Sequence, residues 1–300
     1  MQVPAQVEYE RARSVEQALD LLARYGPAAR ILAGGHSLIP MMKLRLVHPE
    51  VLIDINPITS LRYVELAGGT LRIGALARHA DLLAARETGR HFTILHDAER
   101  VIADPVVRNW GTVGGSLCQA DPSEDLSAAF AALKGSMIIQ GRGETREVSA
   151  REFHTGPYET VVGPGEMLTE IRLPVQPGSG SAYLKVSRRA GDWPVGAAGA
   201  AVLLDNGRFA DAGIGLTALG ATHFVAAEAE EFLLGKSTDD DILARAGEIA
   251  AEHAHPVSDQ RGPVDYKRHL ARELTIRVLR AAIARARQTR AHERTQGAPP

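Results

Sequence analysis

The sequence predicts a mixed α+β protein whose two domains divide near residue 177. In the first part of the chain, short strand-like runs alternate with segments whose apolar residues recur at helical spacing. Pro177–Ser181 is a run of Pro, Gly and Ser that is typical of a linker. Beyond this run the pattern changes to three strand-like runs followed by three helical ones. We therefore expect domains at residues 1–176 and 177–290.

The first domain begins with a well-marked helix. Ser14 and Gln17 have the spacing of a capping box, apolar residues follow at helical spacing, and Gly26 supplies the stop. Further helices are predicted at Ala80–Arg86, at Ile94–Ala103, and from an Asp121-Pro122 N-terminus to Leu133. Strands are predicted at Arg30–Ala33, Val51–Ile55, Leu61–Glu65, Thr70–Gly74, Met137–Gln140, Thr145–Val148 and Met167–Leu173.

The second domain is predicted to contain a small sheet and three helices. Its strands are expected at Ala182–Val186, Ala197–Leu204 and Ala210–Thr217. Its helices are expected at Ala226–Leu234, Asp240–His253 and Val264–Ala286. The polar tail, residues 291–300, is predicted to be disordered.

Composition and charge exclude several classes of protein. The 300 residues have a formal net charge of −2, so there is no chain-wide positive field for nucleic acid or an anionic membrane. The single cysteine, Cys118, excludes a disulfide framework and an iron–sulfur cluster held by this chain alone. No apolar run reaches the ~18 residues of a transmembrane helix. The N-terminus does not resemble a signal peptide, so we expect a soluble protein of a reducing compartment.

Two similar glycine loops, far apart in the sequence, are the strongest local feature. Gly34–Gly35 and Gly114–Gly115 are each followed within two positions by a small hydroxyl residue. Adjacent glycines let consecutive backbone amides point into one concavity that binds an anion, and two such nests suit a diphosphate. Ordinary glycine turns have the same spacing, so the loops alone leave both interpretations open. The acidic segment Asp121–Asp125 follows the second loop and could bind ribose or adenine.

These motifs resemble the FAD-binding medium subunit of molybdenum hydroxylases. That family includes aerobic carbon monoxide dehydrogenase, and the FAD domain of xanthine dehydrogenase is a relative. The resemblance covers nearly the whole chain and rests on Ala33–Pro40, Thr112–Gly115, Asp121-Pro122, Glu166–Leu168, Lys185–Arg189 and Gly191–Trp193. It implies a two-subdomain FAD-binding fold of the vanillyl-alcohol-oxidase (PCMH) type, with a break near residues 57–60, and a small C-terminal α+β domain.

The resemblance also implies a set of cofactor-binding residues. Loop 1 (residues 32–40) and loop 2 (residues 112–116) would cradle the FAD diphosphate, and Asp125 would bind the adenosine part. The full set is Leu32, Ala33, Gly34, Gly35, His36, Ser37, Leu38, Ile39, Pro40, Ile102, Thr112, Val113, Gly114, Gly115, Ser116, Asp125, Leu168 and Lys185. No catalytic acid or base and no metal ligand is implied for this chain.

Several other residues have alternative interpretations. Trp193 would lie over the flavin or fill the domain interface, and we favour the interface. Gly213–Ala218 matches a relaxed dinucleotide fingerprint but lies inside a strand-like run, so we interpret it as packing. His253 and His255 lack the further ligands of a metal site. The segment Arg261–Arg294 carries ten basic and three acidic residues, and it is either a solvated face or a docking surface for an acidic partner subunit.

By resemblance, the chain is expected to be the flavoprotein subunit of a heteromeric molybdenum hydroxylase of the carbon monoxide dehydrogenase type. FAD would pass electrons from the [2Fe-2S] clusters of a small subunit to an external acceptor. A large subunit would hold a molybdopterin-type cofactor, and the complex would be a dimer of heterotrimers. It would be cytoplasmic, or peripheral at the inner membrane face. The alternatives are a free-standing FAD-dependent oxidoreductase, a nucleotide-binding module without activity, and a subunit of an aldehyde, purine or N-heterocycle dehydrogenase.

Overall fold

The computed structural model describes residues 3–220 and 224–297. The helices in these ranges are α1 Val15–Tyr25, α2 Leu38–Lys43, α3 His79–Ala84, α4 Arg86–His91, α5 Thr93–Val101, α6 Pro105–Trp110, α7 Val113–Gln119, α8 Asp125–Ala132, α9 Ala150–Phe153, α10 Ala227–Leu233, α11 Asp240–Glu252 and α12 Val264–Gly297. The strands are β1 Glu8–Arg11, β2 Ala29–Leu32, β3 Val51–Asp54, β4 Val64–Ala67, β5 Thr70–Gly74, β6 Ser136–Gly141, β7 Glu144–Ser149, β8 His154–Gly156, β9 Glu159–Thr160, β10 Met167–Pro174, β11 Ser179–Ser187, β12 Pro194–Asp205 and β13 Arg208–Thr217.

A three-stranded parallel sheet of order β1-β3-β2 forms the N-terminal part of the fold. Helix α1 connects β1 to β2 and packs its apolar face into the same core as the sheet. The Ser14 hydroxyl accepts a hydrogen bond from the Gln17 amide at 3.1 Å, so the predicted helix start is confirmed. Loop 1 leaves the carboxyl end of β2, which is the edge of a parallel sheet where ligands bind in other α/β proteins.

The second unit is an antiparallel sheet of order β4-β5-β10-β6-β7. The two predicted hairpins are confirmed as β4–β5 and β6–β7, and β10 lies between them. Helices α5, α7 and α8 share one apolar core with this sheet, and Phe130 and Phe153 are among its largest fully buried side chains. Loop 2 therefore joins a helix that is anchored in the centre of the protein.

The C-terminal unit is a three-stranded antiparallel sheet of order β11-β12-β13. Helices α10, α11 and α12 form a second apolar core with it, while α5 and α8 of the preceding unit pack against it as well. A Cβ on Gly213 would collide with the carbonyl oxygen of Ala132, and one on Gly215 with that of Ala128. These glycines let the backbone of α8 approach β13, so the interpretation of Gly213–Ala218 as packing is confirmed.

The helix predicted to begin at Asp121 begins instead at Asp125, so that prediction is wrong. Glu124 is the N-cap, and its carboxylate accepts hydrogen bonds from two backbone amides of the first turn at 2.9 and 2.6 Å. The Ser116 hydroxyl also donates to Glu124 at 2.9 Å, which joins α7 to α8. This contact links two neighbouring helices, and a pattern confined to the start of α8 does not contain it.

Helix α12 continues to Gly297, although the sequence predicts disorder from residue 291. That prediction is wrong for residues 291–297, because this stretch has no proline and no glycine before its last residue and consists mainly of good helix formers. Residues 298–300 of the predicted tail lie outside the described residues. None of the helices within residues 3–220 and 224–297 is both long and apolar enough to cross a membrane.

We keep the predicted boundaries near residues 57–60 and 177 as a proposal. The parallel sheet ends at Asp54 and the antiparallel sheet starts at Val64, so residues 57–60 lie in the connection between two sheets. Residue 177 lies in the short turn between β10 and β11.

Candidate functional site

The two glycine loops lie against each other in the folded chain. A Cβ on Gly34 would collide with the carbonyl oxygen of Trp110 and would lie 2.8 Å from the Cα of Gly111. A Cβ on Gly115 would lie 3.8 Å from the Cβ of Ala33. The fold thus brings loop 1 and loop 2 together where the parallel sheet meets the helices of the second unit.

Loop 1 presents a row of unused backbone amides. Within the described residues, no amide from Gly34 to Leu38 donates a hydrogen bond to the protein. Gly35 has a φ of +77°, the left-handed conformation that occurs in anion-binding nests. His36 and Pro40 are exposed, so a ligand can reach the loop from solvent. This arrangement fits an anion such as a diphosphate.

Loop 2 differs from loop 1, because the amides of residues 113–116 already donate hydrogen bonds within the protein. The Gly114 amide donates to the carbonyl of Ala75 at 3.0 Å, and the Gly115 amide donates to the hydroxyl of Thr112 at 3.1 Å. The Ser116 amide donates to the Thr112 carbonyl at 3.0 Å. Gly114 and Gly115 therefore do not form a second open nest in this structure, and a contact of loop 2 with the FAD diphosphate stays a prediction. Loop 2 is the capped start of α7, and it forms a rigid support against loop 1.

Asp125 and Lys185 form a buried ion pair between the second unit and the C-terminal unit. Lys185 Nζ donates to one carboxylate oxygen of Asp125 at 2.8 Å, and the Tyr183 hydroxyl donates to the other at 2.7 Å. The side chain of Asp125 is 5% exposed and that of Lys185 is 3% exposed. Lys185 Nζ also donates to the carbonyl of Val101, the neighbour of Ile102, at 3.1 Å. Asp125, Lys185 and Ile102, three of the predicted cofactor-binding residues, therefore lie close together.

Burial raises the pKa of the Asp125 carboxyl to about 6, and its contacts with Lys185 and Tyr183 offset that effect only in part. This pKa lies above the ordinary value of 3.8, so the contribution of Asp125 to folding stability is fully present at a pH below 3.8. The contribution is lost as the pH rises through about 6. Both carboxylate oxygens have partners within the protein, so the adenosine contact of Asp125 stays a prediction.

We expect Asp125→Asn to destabilise the FAD-free chain by about 3–5 kcal/mol at pH 7.5, because the buried Lys185 ammonium would lose its only carboxylate within the described residues. Urea unfolding measures this loss. Asp125→Asn with Lys185→Met removes both charges and should recover most of the stability. Asp20→Asn breaks an exposed ion pair with Arg142 and should change little. A double variant no more stable than Asp125→Asn would contradict the ion-pair interpretation.

Leu168 and Trp193, the two remaining residues discussed for the site, lie in different settings. Leu168 is 4% exposed in β10 and belongs to the apolar core that also contains Val113 of α7. Trp193 is 44% exposed in the turn before β12. A Cβ on the nearby Gly191 would lie 3.0 Å from the carbonyl oxygen of Ala103, so this turn packs next to Ile102. Trp193 therefore borders the domain interface and does not fill it.

The sequence interpretation missed the polar side chains that support the loops. Asn56 and Arg78 connect loop 1 by hydrogen bonds to Trp110, two residues before loop 2. His79 Nδ1 lies 3.0 Å from a carboxylate oxygen of Glu99, and both side chains are buried. The available signals were weak: an asparagine just after a buried strand, and an arginine directly after an apolar run.

Two family descriptions match the chain. Residues 5–176 match the "FAD binding domain in molybdopterin dehydrogenase", and residues 181–282 match the "CO dehydrogenase flavoprotein C-terminal domain". The carbon monoxide dehydrogenase medium chain of Afipia carboxidovorans is 37% identical over 286 residues, which are 95% of this chain and 99% of that protein. The glyceraldehyde dehydrogenase medium chain of Sulfolobus acidocaldarius is 35% identical over 277 residues, with 92% and 98% covered.

A solved structure matches over nearly the full length. It is carbon monoxide dehydrogenase from Hydrogenophaga pseudoflava, in a form that lacks the Mo-pyranopterin moiety of the molybdenum cofactor. The TM-score is 0.92 at 38% identity, and the match covers 94% of this chain and 99% of the other. The predicted fold, an FAD-binding part followed by a small C-terminal α+β domain, is confirmed.

Proposed function

This chain belongs to the family of FAD-binding medium subunits of carbon monoxide and xanthine dehydrogenases, and we propose that it relays electrons as the flavoprotein subunit of a molybdenum hydroxylase. The proposal rests on the open row of amides in loop 1, in a chain that matches the family over nearly its whole length. FAD, when bound, supplies the redox chemistry by collecting electron pairs and passing them to an acceptor.

The residues of this chain bind and orient the cofactor. The amides of Gly34–Leu38 would hold the diphosphate, because they point hydrogen-bond donors at the site without having to break bonds first. Loop 2 would keep loop 1 in place, since its own hydrogen bonds make it rigid. Asp125 would lie near the adenosine part and Lys185 near the cofactor, as the family resemblance implies. No side chain in this set has to act as an acid or base on the substrate.

The proposed electron relay requires partner subunits that hold the other redox centres. A [2Fe-2S] cluster needs four ligands, usually thiolates, and this chain has only Cys118, so the clusters would lie in a small subunit. The molybdopterin-type cofactor would lie in a large subunit. We propose a dimer of such heterotrimers in the cytoplasm, or at the inner face of the membrane. The existence of partner chains is supported by the relatives, which are named as medium chains of dehydrogenases.

Carbon monoxide is the substrate that we propose for the complex. The support is the 37% identity to a carbon monoxide dehydrogenase medium chain over 95% of this chain. An aldehyde is the second candidate, because a glyceraldehyde dehydrogenase medium chain is nearly as similar. Comparing carbon monoxide with glyceraldehyde as reductants of the co-purified complex distinguishes the two.

We expect the purified chain to be yellow and to hold a single non-covalent FAD. Acid precipitation should release the flavin into the supernatant, where chromatography should identify FAD. A colourless protein that binds no flavin would reject the proposed function and favour a nucleotide-binding module. Flavin that stays with the precipitate would show a covalent link, and the exposed His36 is the first attachment site to examine. FMN in place of FAD would remove the need for a diphosphate site.

A further inference from the structure

Hydrogen bonds of Asn56 and Arg78 link loop 1 to Trp110, which lies two residues before loop 2. The Asn56 side-chain amide donates to the carbonyl of Ala33 in loop 1 at 2.7 Å, while its oxygen accepts from Arg78 Nη2 at 2.7 Å. Arg78 Nη1 donates to the carbonyl of Trp110, the residue that contacts Gly34. These two side chains, which we name the clasp, therefore connect loop 1 to the residue that lies just before loop 2.

The clasp is anchored to β3 on one side and to the backbone of loop 2 on the other. The Asn56 side chain and backbone amide both donate to a carboxylate oxygen of Asp54, the last residue of β3, at 2.7 and 2.9 Å. On the other side, the backbone around Arg78 pairs with loop 2. The His79 amide donates to the Gly111 carbonyl at 3.2 Å, and the Val113 amide to the Ala77 carbonyl at 2.9 Å. Neither end of the clasp can move without breaking several of these bonds.

Arg78 also places a positive charge next to the point where the two loops meet. The residue is 9% exposed, and within the described residues no carboxylate lies within salt-bridge distance of its guanidinium. Burial, together with the neighbouring Arg62, lowers the pKa of the Arg78 guanidinium from its ordinary value, and Asp81 and Asp54 counteract this only partly. A buried cation held by neutral acceptors is costly unless a negative charge binds nearby.

We infer that the clasp positions the two loops for the diphosphate, and that the Arg78 guanidinium supplies positive charge to that diphosphate through the loops. Arg78 is then a positioning residue with an electrostatic role and not a catalytic one. This inference rests on the proposed function, because the diphosphate is that of FAD. It explains why an arginine that has no carboxylate partner among the described residues is buried at the point where the loops meet.

The test measures FAD binding to the FAD-stripped chain by fluorescence titration at low and high salt, together with thermal unfolding. Arg78→Gln keeps a hydrogen-bond donor but removes the charge, and we expect FAD to bind at least about tenfold more weakly, with a smaller salt dependence. Arg78→Lys keeps the charge but cannot donate to Asn56 and Trp110 at the same time with the planar geometry of a guanidinium. Its affinity should stay within about threefold of wild type, while its unfolding temperature falls. Arg62→Gln is the matched control, because it removes the same charge from a neighbouring exposed arginine.

Each outcome decides one point. A wild-type chain that binds no FAD would reject the proposed function itself. If wild type binds FAD and Arg78→Gln binds it equally well with the same salt dependence, the inference alone fails. If Arg62→Gln weakens FAD binding equally, the inference also fails, because the effect would then come from the general surface charge and not from Arg78. If Arg78→Gln does not fold, the Lys variant decides: a loss of affinity above about tenfold would contradict the charge role.

Discussion

Replacing Gly35 by valine is expected to abolish FAD retention while the fold persists. Gly35 has a φ of +77°, and its Cβ would lie 3.3 Å from side-chain atoms of Ile39 and Leu32. A β-branched residue is strained there, so loop 1 should leave this conformation and turn its amides away from the site. The loss of two hydrogen bonds to a charged group would weaken binding by about a hundredfold or more. The ratio of flavin to protein absorbance in the purified chain measures the result.

Gly143→Val is the matched control for this experiment. Gly143 has a φ of +74° in the β6–β7 turn, and a Cβ there would meet no atom within 4 Å. The backbone strain is therefore similar, but a Cβ at this position would contact neither loop. We expect Gly143→Val to keep its FAD and to unfold at a slightly lower temperature. Full FAD content in Gly35→Val as well would reject the assignment of loop 1 to the diphosphate.

Gly114→Val should also lose FAD, but for a different reason. A Cβ on Gly114 would lie 2.7 Å from both the Cβ and the carbonyl oxygen of Ala75. The added side chain therefore meets the protein backbone and not the ligand, and α7 must move away from the end of β5. Such overpacking costs about 1–3 kcal/mol or more. Thermal unfolding should show a clear loss of stability in Gly114→Val and a smaller one in Gly35→Val.

The isolated chain is expected to be reduced by dithionite but not by carbon monoxide or another substrate of the complex. The substrate would be oxidised in the large subunit, and electrons would reach the flavin only through the clusters of the small subunit. Adding both partner subunits should restore substrate-driven bleaching of the flavin absorbance. Adding the large subunit alone is the control, and it should not restore bleaching because the clusters are missing.

The same experiment separates the relay from its main alternative. Substrate turnover by the purified chain alone would reject the relay and favour a free-standing FAD-dependent oxidoreductase. We place electron entry at the rim of the glycine loops, because transfer needs a short distance and Trp110 is 58% exposed there. We propose the basic helix α12, on which Tyr266 is exposed, as the second candidate surface for a partner. Charge reversal on either surface would show which one the small subunit needs.

Elements with strong local patterns could be predicted from the sequence. Ser14 and Gln17 mark the start of α1, and the hairpins β4–β5 and β6–β7 lie where their turn residues indicate. The short helices α2, α6 and α7 could not be predicted in this way. They contain six or seven residues, which is too few for a helical period to be visible, and they are held by tertiary contacts. The N-cap of α8 was misplaced because two acidic residues, Asp121 and Glu124, compete for it.

The sequence by itself determined the family, the FAD-binding role and the position of both glycine loops, because glycine identity and spacing are local properties of the chain. Only the tertiary structure decided what each loop does. Whether a backbone amide is free depends on acceptors that arrive from elsewhere: Ala75 occupies the Gly114 amide in loop 2, whereas no described residue occupies the Gly34–Leu38 amides in loop 1. The clasp of Asn56 and Arg78 depends in the same way on residues that folding brings together. Hydrogen bonding between distant segments is a property of the fold, and no local pattern contains it.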